Sequence, residues 1–167
     1  MIRRLRTADL PRVLAIWLQG NRQAHPFISD AFWLGQLPAV RAALPAADVY
    51  VYTDGTGTVQ GFIGLQQGYI AGLFVHGAFR SQGIGRRLLQ VAQWRCGRCT
   101  LGVYAQNTRA LRFYLRQGFF VRAMRVDAAT GQREVCMAWP RETGAPVRPC
   151  AAAVCRYRRG IRCRKEF

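Results

Sequence analysis

The segment Arg80-Ser81-Gln82-Gly83-Ile84-Gly85-Arg86-Arg87 constrains the fold more than any other part of the sequence. It joins a β-rich run, Tyr69 to Val75, to a stretch from Gly83 to Trp94 whose Ile84, Leu88, Leu89, Val91 and Ala92 keep to one side of a helix. A strand that passes through a glycine-rich loop into an amphipathic helix needs a sheet on which that helix can pack. Gly83 and Gly85 permit a tight turn and let a ligand approach the backbone without meeting a Cβ. The amides from Gln82 to Arg87 lie at a helix N-terminus, where N–H groups lack partners and the helix dipole is positive. Arg80, Arg86 and Arg87 add full charges, and the whole reads as a pyrophosphate cradle. No Gly-Lys-Ser/Thr follows, so it is not a Walker A loop. Leu88 stands where the third glycine of a dinucleotide fingerprint belongs. The plainer alternative is a loop that only packs, with its arginines in water.

The rest of the chain supplies the sheet and more helices. Residues 1–6 read as a short strand. Thr7, Asp9 and Pro11 open a helix carrying Leu10, Val13, Leu14, Trp17 and Leu18, with Gly20-Asn21 expected to stop it. A second helix is expected from Asp30 to Leu44, broken or kinked at Pro38. Strands follow at Val49–Tyr52, Val59–Gln67 and Tyr69–Val75, the first two joined through Asp54-Gly55-Thr56-Gly57. On the last of these, Tyr69, Ala71, Leu73 and Val75 alternate onto one face. After the cradle helix come a strand at Leu101–Tyr104, a helix from Asn107 to Gln117 stopped by Gly118, and a final hairpin of Phe119–Val126 and Glu134–Trp139.

The 167 residues suit one domain, placed at 1–140. Residues 141–167 keep neither helix nor strand periodicity and read as a disordered or loosely attached basic tail. Net charge is +17, and residues 1–139 alone hold 17 basic and six acidic side chains. That field attracts phosphates, nucleic acid and acidic proteins, and it disfavours polyamine-like substrates. No apolar run is long enough to span a membrane and no secretory leader is evident, so a cytoplasmic protein is expected. Cys96-Gly97-Arg98-Cys99 has the spacing of half a zinc knuckle but lacks a second ligand pair, so no metal is expected.

A second motif lies downstream. In Asn107-Thr108-Arg109-Ala110-Leu111-Arg112-Phe113-Tyr114-Leu115-Arg116-Gln117-Gly118-Phe119, residues Ala110, Phe113 and Tyr114 share a helix face. Gly118 fits the left-handed position just past the helix end. A phenol buried on that face needs a hydrogen-bond partner, which leaves room for a catalytic role.

Together, Arg80…Gly83-Ile84-Gly85 and Asn107…Ala110…Phe113-Tyr114…Gly118-Phe119 resemble the two signature blocks of the GNAT superfamily of N-acetyltransferases. His25-Pro26-Phe27, Tyr69 and Leu73-Phe74-Val75 are similar to its YiaC-like bacterial branch. The resemblance covers residues 1–140. It implies a mixed α/β (α+β) fold: a mostly antiparallel sheet with helices on both faces. It also implies acetyl-CoA as acetyl donor and a primary amine as acceptor, on a protein lysine or an N-terminus, in an acidic protein if the charge guides the choice.

The resemblance also implies a role for each of these residues. Leu73, Phe74 and Val75 supply backbone hydrogen bonds and an amide for the developing oxyanion. Arg80, Gln82, Gly83, Ile84, Gly85, Arg86 and Arg87 hold the pyrophosphate, and Asn107 holds the pantetheine arm. Tyr114 is the general acid for the leaving sulfur. For the base, Glu134 on the last strand and His25 between the first helices both stand open. Tyr69 and Phe27 are expected in the acceptor pocket. Two other readings fit parts of the sequence: a module binding nucleic acid or acidic protein, and a non-catalytic coenzyme A sensor. The two blocks at this separation speak against the first, and Tyr114 against the second.

Overall fold

β-rich segments with short turns between them pair with their neighbours, and here they build one seven-stranded sheet. The computed structural model describes residues 1–140; the reading of residues 141–167 lies outside them. The strands are β1 (Ile2–Arg4), β2 (Asp48–Thr53), β3 (Val59–Gln66), β4 (Tyr69–Val75), β5 (Cys99–Tyr104), β6 (Phe120–Val126) and β7 (Arg133–Trp139). Their order is β1-β2-β3-β4-β5-β7-β6. Every pairing is antiparallel except β4 with β5, which the intervening helix makes parallel. The helices are α1 (Leu10–Ala24), α2 (Asp30–Ala43), α3 (Ile84–Cys96) and α4 (Thr108–Arg116).

The sheet separates two cores. On one face Val13, Ile16 and Trp17 of α1 and Trp33 and Val40 of α2 pack on Val49, Val51, Phe62 and Tyr104. On the other, Ile84, Leu88 and Leu89 of α3 and Tyr114 of α4 pack on Ile63, Leu101, Val103 and Met137. Among the described residues no helix is long and apolar enough to cross a membrane.

Local signals are overruled in two places. Gly20-Asn21 does not stop α1, which runs on to Ala24. Gly20 instead lets α1 sit close to the sheet: a Cβ there would lie 2.7 Å from the Phe74 ring. Asn21 is buried, and its amide donates to the Trp17 carbonyl one turn back. Nor does Pro38 break α2, which continues through it to Ala43. Ahead of α1, Thr7–Asp9 form a single 3₁₀ turn. There the buried Asp9 carboxylate takes two bonds from the Arg3 guanidinium, at 2.6 and 2.9 Å, and one from the Arg6 amide at 2.8 Å.

The register of β4 positions the site. Gly72 pairs with Gly64 and Ile70 with Leu65, so Ala71 is an extra residue in β4. Such a bulge bends a strand and re-aims its edge. It also breaks the alternation expected from Tyr69 to Val75, because Ile70, not Tyr69, joins Leu73 and Val75 in one core. Beyond the single pair Tyr69 with Thr100, no further register joins β4 to β5 among the described residues. The two strands part, and a gap opens in the middle of the sheet.

Candidate active site

A cavity of about 690 Å³ occupies that gap. The edges of β4 and β5 form its walls: Ala71 to Val75 on one side, Leu101 to Tyr104 on the other. Backbone polar groups along two parted edges are available to a ligand that lies between them like another strand.

One end is the glycine-rich loop. Ser81 and Gly83 both take positive φ, +63° and +80°, which turns successive amides into an anion-binding concavity. Arg87 N–H donates to Gly83 O at 3.0 Å, the first bond of α3. The amides of Ile84, Gly85 and Arg86 precede it and have no acceptor within the helix. Arg80, Ser81, Gly83, Ile84, Gly85, Arg86 and Arg109 all line the cavity. Arg80 donates to the Val75 carbonyl at 3.2 Å, which ties the loop to the end of β4. Burial, and secondarily the charge of Arg109, make the Arg80 guanidinium easier to deprotonate. Two cations held together at a cavity wall call for an anion. Arg87 is a correction: its guanidinium bonds the Tyr52 hydroxyl at 3.2 Å and lies over that ring, away from the cavity. Gln82 also stays outside the lining and donates to Ala78 O.

In the middle stands Tyr114, 7% exposed, on the cavity wall. Its ring packs edge-on against Phe113 and Phe119. Burial, with a smaller contribution from Tyr69, pushes the phenol well above its ordinary pKa. It therefore keeps its proton, which is available to donate. A Cβ on Gly85 would lie 3.6 Å from Phe113, so the α3 N-terminus and α4 approach closely.

The far end is aromatic. His25, in the loop after α1, lies edge-on to Tyr104 at 5.1 Å and tilted against Trp33 at 5.4 Å, and all three line the cavity. Tyr104 donates to Asp127 at 2.6 Å. Asn107 caps α4, its Oδ1 accepting from Ala110 N–H at 3.1 Å, and its Nδ2 stands 3.3 Å from His25 Nε2. Asn107 thus meets His25 across 82 positions of sequence.

Three expected residues fall elsewhere. Glu134 is not a solvated hairpin charge. It is 1% exposed, outside the cavity lining, and paired with Arg125 at 2.6 Å. Its carboxylate occupies the space a Gly102 side chain would need. Phe27 stands behind the wall, edge-on to His25 and Tyr104. Tyr69 is likewise not a lining residue, although it acts electrostatically on both Tyr114 and Arg125. Sequence reasoning missed Ala71, Tyr104, Arg109 and Asp127. Only Arg109, inside the second motif, carried a sequence signal.

A mixed sheet parted at its parallel pair, with an anion cradle opening the next helix, defines a group-transfer fold of the N-acetyltransferase type. The model of the acetyltransferase (GNAT) domain matches residues 45–121. Peptidyl-lysine N-acetyltransferase YiaC of Escherichia coli K12 is 34% identical over 142 residues, covering 84% of this chain and 97% of that protein. The solution structure of apo-form YjaB from Escherichia coli superposes with a TM-score of 0.75 at 28% identity, over 83% of this chain and 96% of that one. The structure of yncA from Salmonella typhimurium with its cofactor acetyl-CoA shares the fold, with a TM-score of 0.59 at 20% identity, over 87% and 96%. The chain belongs to the GNAT acetyltransferase family.

Proposed function

We propose that this protein moves the acetyl group of acetyl-CoA onto the side-chain amine of a protein lysine. The observation that carries the reading is the parted β4–β5 pair, with the buried Tyr114 hydroxyl on its wall and the cationic loop at one end. The fit to the donor follows from chemistry. Arg80, Arg86, Arg109 and the amides of Ile84 to Arg86 suit a pyrophosphate. The free edge from Ala71 to Val75 suits an amide-bearing arm. The YiaC and YjaB relatives, named as peptidyl-lysine N-acetyltransferases, support the choice of acceptor.

The residues divide the chemistry between them. Backbone N–H groups near Leu73 hydrogen-bond the carbonyl oxygen as charge builds on it. Tyr114, held protonated, donates to the sulfur as it leaves. His25 takes the proton of the attacking amine. It is preferred to Glu134 because it lines the cavity, whereas Glu134 lies outside the lining, paired with Arg125. The net +11 of residues 1–139 favours lysines set among acidic residues. Release of free thiol from acetyl-CoA, measured against lysine peptides, α-amino peptides and small amines, tests the reading. Turnover confined to the small amines, or absent with all three, would refute it.

A further inference from the structure

The contact between His25 and Asn107 fixes more than position. Asn107 cannot turn its amide around, because Oδ1 is committed to the Ala110 N–H at the start of α4. The group facing His25 Nε2 at 3.3 Å is therefore the NH₂, which can only donate. A donor opposite a ring nitrogen is attractive only if that nitrogen carries a lone pair. The proton of the neutral ring must then sit on Nδ1.

We propose that Asn107 is a positioning residue that holds His25 in its neutral, Nδ1-protonated tautomer, so that Nε2 carries the lone pair, which takes the proton of the incoming amine once the amine displaces the Asn107 NH₂. The proposal rests on the acetyl-transfer reading above for its catalytic half. Proton balance is simple: the acceptor ammonium loses one proton to Nε2, giving a free amine and an imidazolium. The imidazolium then presents N–H to the N–H of Asn107, which is repulsive, so the ring passes its proton on to solvent and resets. A hydrogen bond given to the neutral form disfavours the charged one. At 3.3 Å this bond is long, so it yields easily to the proton.

Other groups around the ring pull both ways. The charged groups that share the cavity lining with it are Asp127, which accepts from the Tyr104 hydroxyl, and Arg80, Arg86, Arg109 and Arg116. Arg22 of α1 and Asp30 of α2 bind each other. The ring itself is pinned by Trp33 and Tyr104, so it cannot rotate away from Asn107 without disturbing both.

The first test needs no activity. The full chain, labelled with ¹⁵N-histidine, is examined at neutral pH, with a His25→Gln variant assigning the resonances of the two histidines. An Nδ1–H pattern for His25 is expected, and an Nε2–H pattern would overturn the proposal. The second test uses Asn107→Asp and Asn107→Ser, both good helix caps. Aspartate places a carboxylate against Nε2 and favours the imidazolium, so the acid limb of kcat/KM should move up by about one pH unit. Serine should move it less, in the same direction. A role confined to holding the acetyl donor predicts weaker acetyl-CoA binding and an unmoved limb, and that result would also overturn it. Should the wild type transfer no acetyl group, the spectroscopic test still decides the tautomer.

Discussion

A buried tyrosine hydroxyl facing a cavity is costly unless something that binds there completes it. Tyr114 is in that position, which makes it the sharpest single-residue test. Tyr114→Phe removes one oxygen and leaves the packing against Phe113 and Phe119 intact. We expect kcat to fall by about 10²–10⁴-fold with little change in acetyl-CoA affinity. A tyrosine that only packs would instead lower the melting temperature and leave turnover in place. That Tyr114 lies on the core side of α4 was legible because helix spacing put it beside Ala110 and Phe113, four residues before Gly118. Its isolation from water was not, since that depends on α3, β5 and β7 closing around it. Glu134 makes the opposite case. A lone acid next to a turn reads as a surface charge, and only the sheet order brings Arg125 of β6 beside it.

At the level of elements, two close approaches hold α1 against the sheet. The first is α1 on β4. Gly20→Ala gains about 1 kcal/mol of helix propensity, but its methyl would stand 2.7 Å from a Phe74 ring already stacked on Phe62. Overpacking of that kind costs about 1–3 kcal/mol, so a net loss of stability is expected. Because Phe74 belongs to the free edge of β4, acetyl-CoA binding should weaken as well. A variant as stable as the wild type with unchanged affinity would contradict this. The second is the clamp of Arg3 on Asp9, which anchors β1 to the start of α1. Its hydrogen bonds hold the Asp9 carboxyl below the usual carboxylate range. Its stabilisation is therefore complete above the unfolded value of about 3.9 and is lost as pH falls through the lower folded value. Asp9→Asn should cost about 1–3 kcal/mol at pH 7, and the gap to wild type should close only below about pH 4. A gap independent of pH would mean the carboxylate charge contributes nothing. Element types were legible throughout because each is short and strongly patterned. What was not legible came from contacts across the chain. Gly20 looks like a helix stop until Phe74 is seen against it, and the extra residue at Ala71 appears only when β3 supplies the register.

Over the whole molecule, charge is organised as well as abundant. Four of the six acids in residues 1–139, Asp9, Asp30, Asp48 and Glu134, are bound to arginines. Asp54 is consumed by its own turn, through Thr56 and Thr58. Asp127 is the only carboxylate lining the cavity among the described residues, whereas Arg80, Arg86 and Arg109 line it too. An acceptor therefore approaches a positive surface and must place a cationic amine next to it. On the acetyl-transfer reading, negative charge elsewhere on the acceptor would make this approach favourable. We expect kcat/KM for a lysine flanked by Asp and Glu to exceed that for the same lysine flanked by Arg by about tenfold at low ionic strength. Screening lengths fall from roughly 30 Å at 0.01 M to about 8 Å at 0.15 M, so the preference should shrink steadily over that range. The change should fall on KM, because the flanking residues touch the rim and not the reacting atoms. A preference that persists undiminished at 0.5 M salt would point to direct contacts with the flanking residues, and equal rates at low salt would remove the field of the protein from acceptor choice.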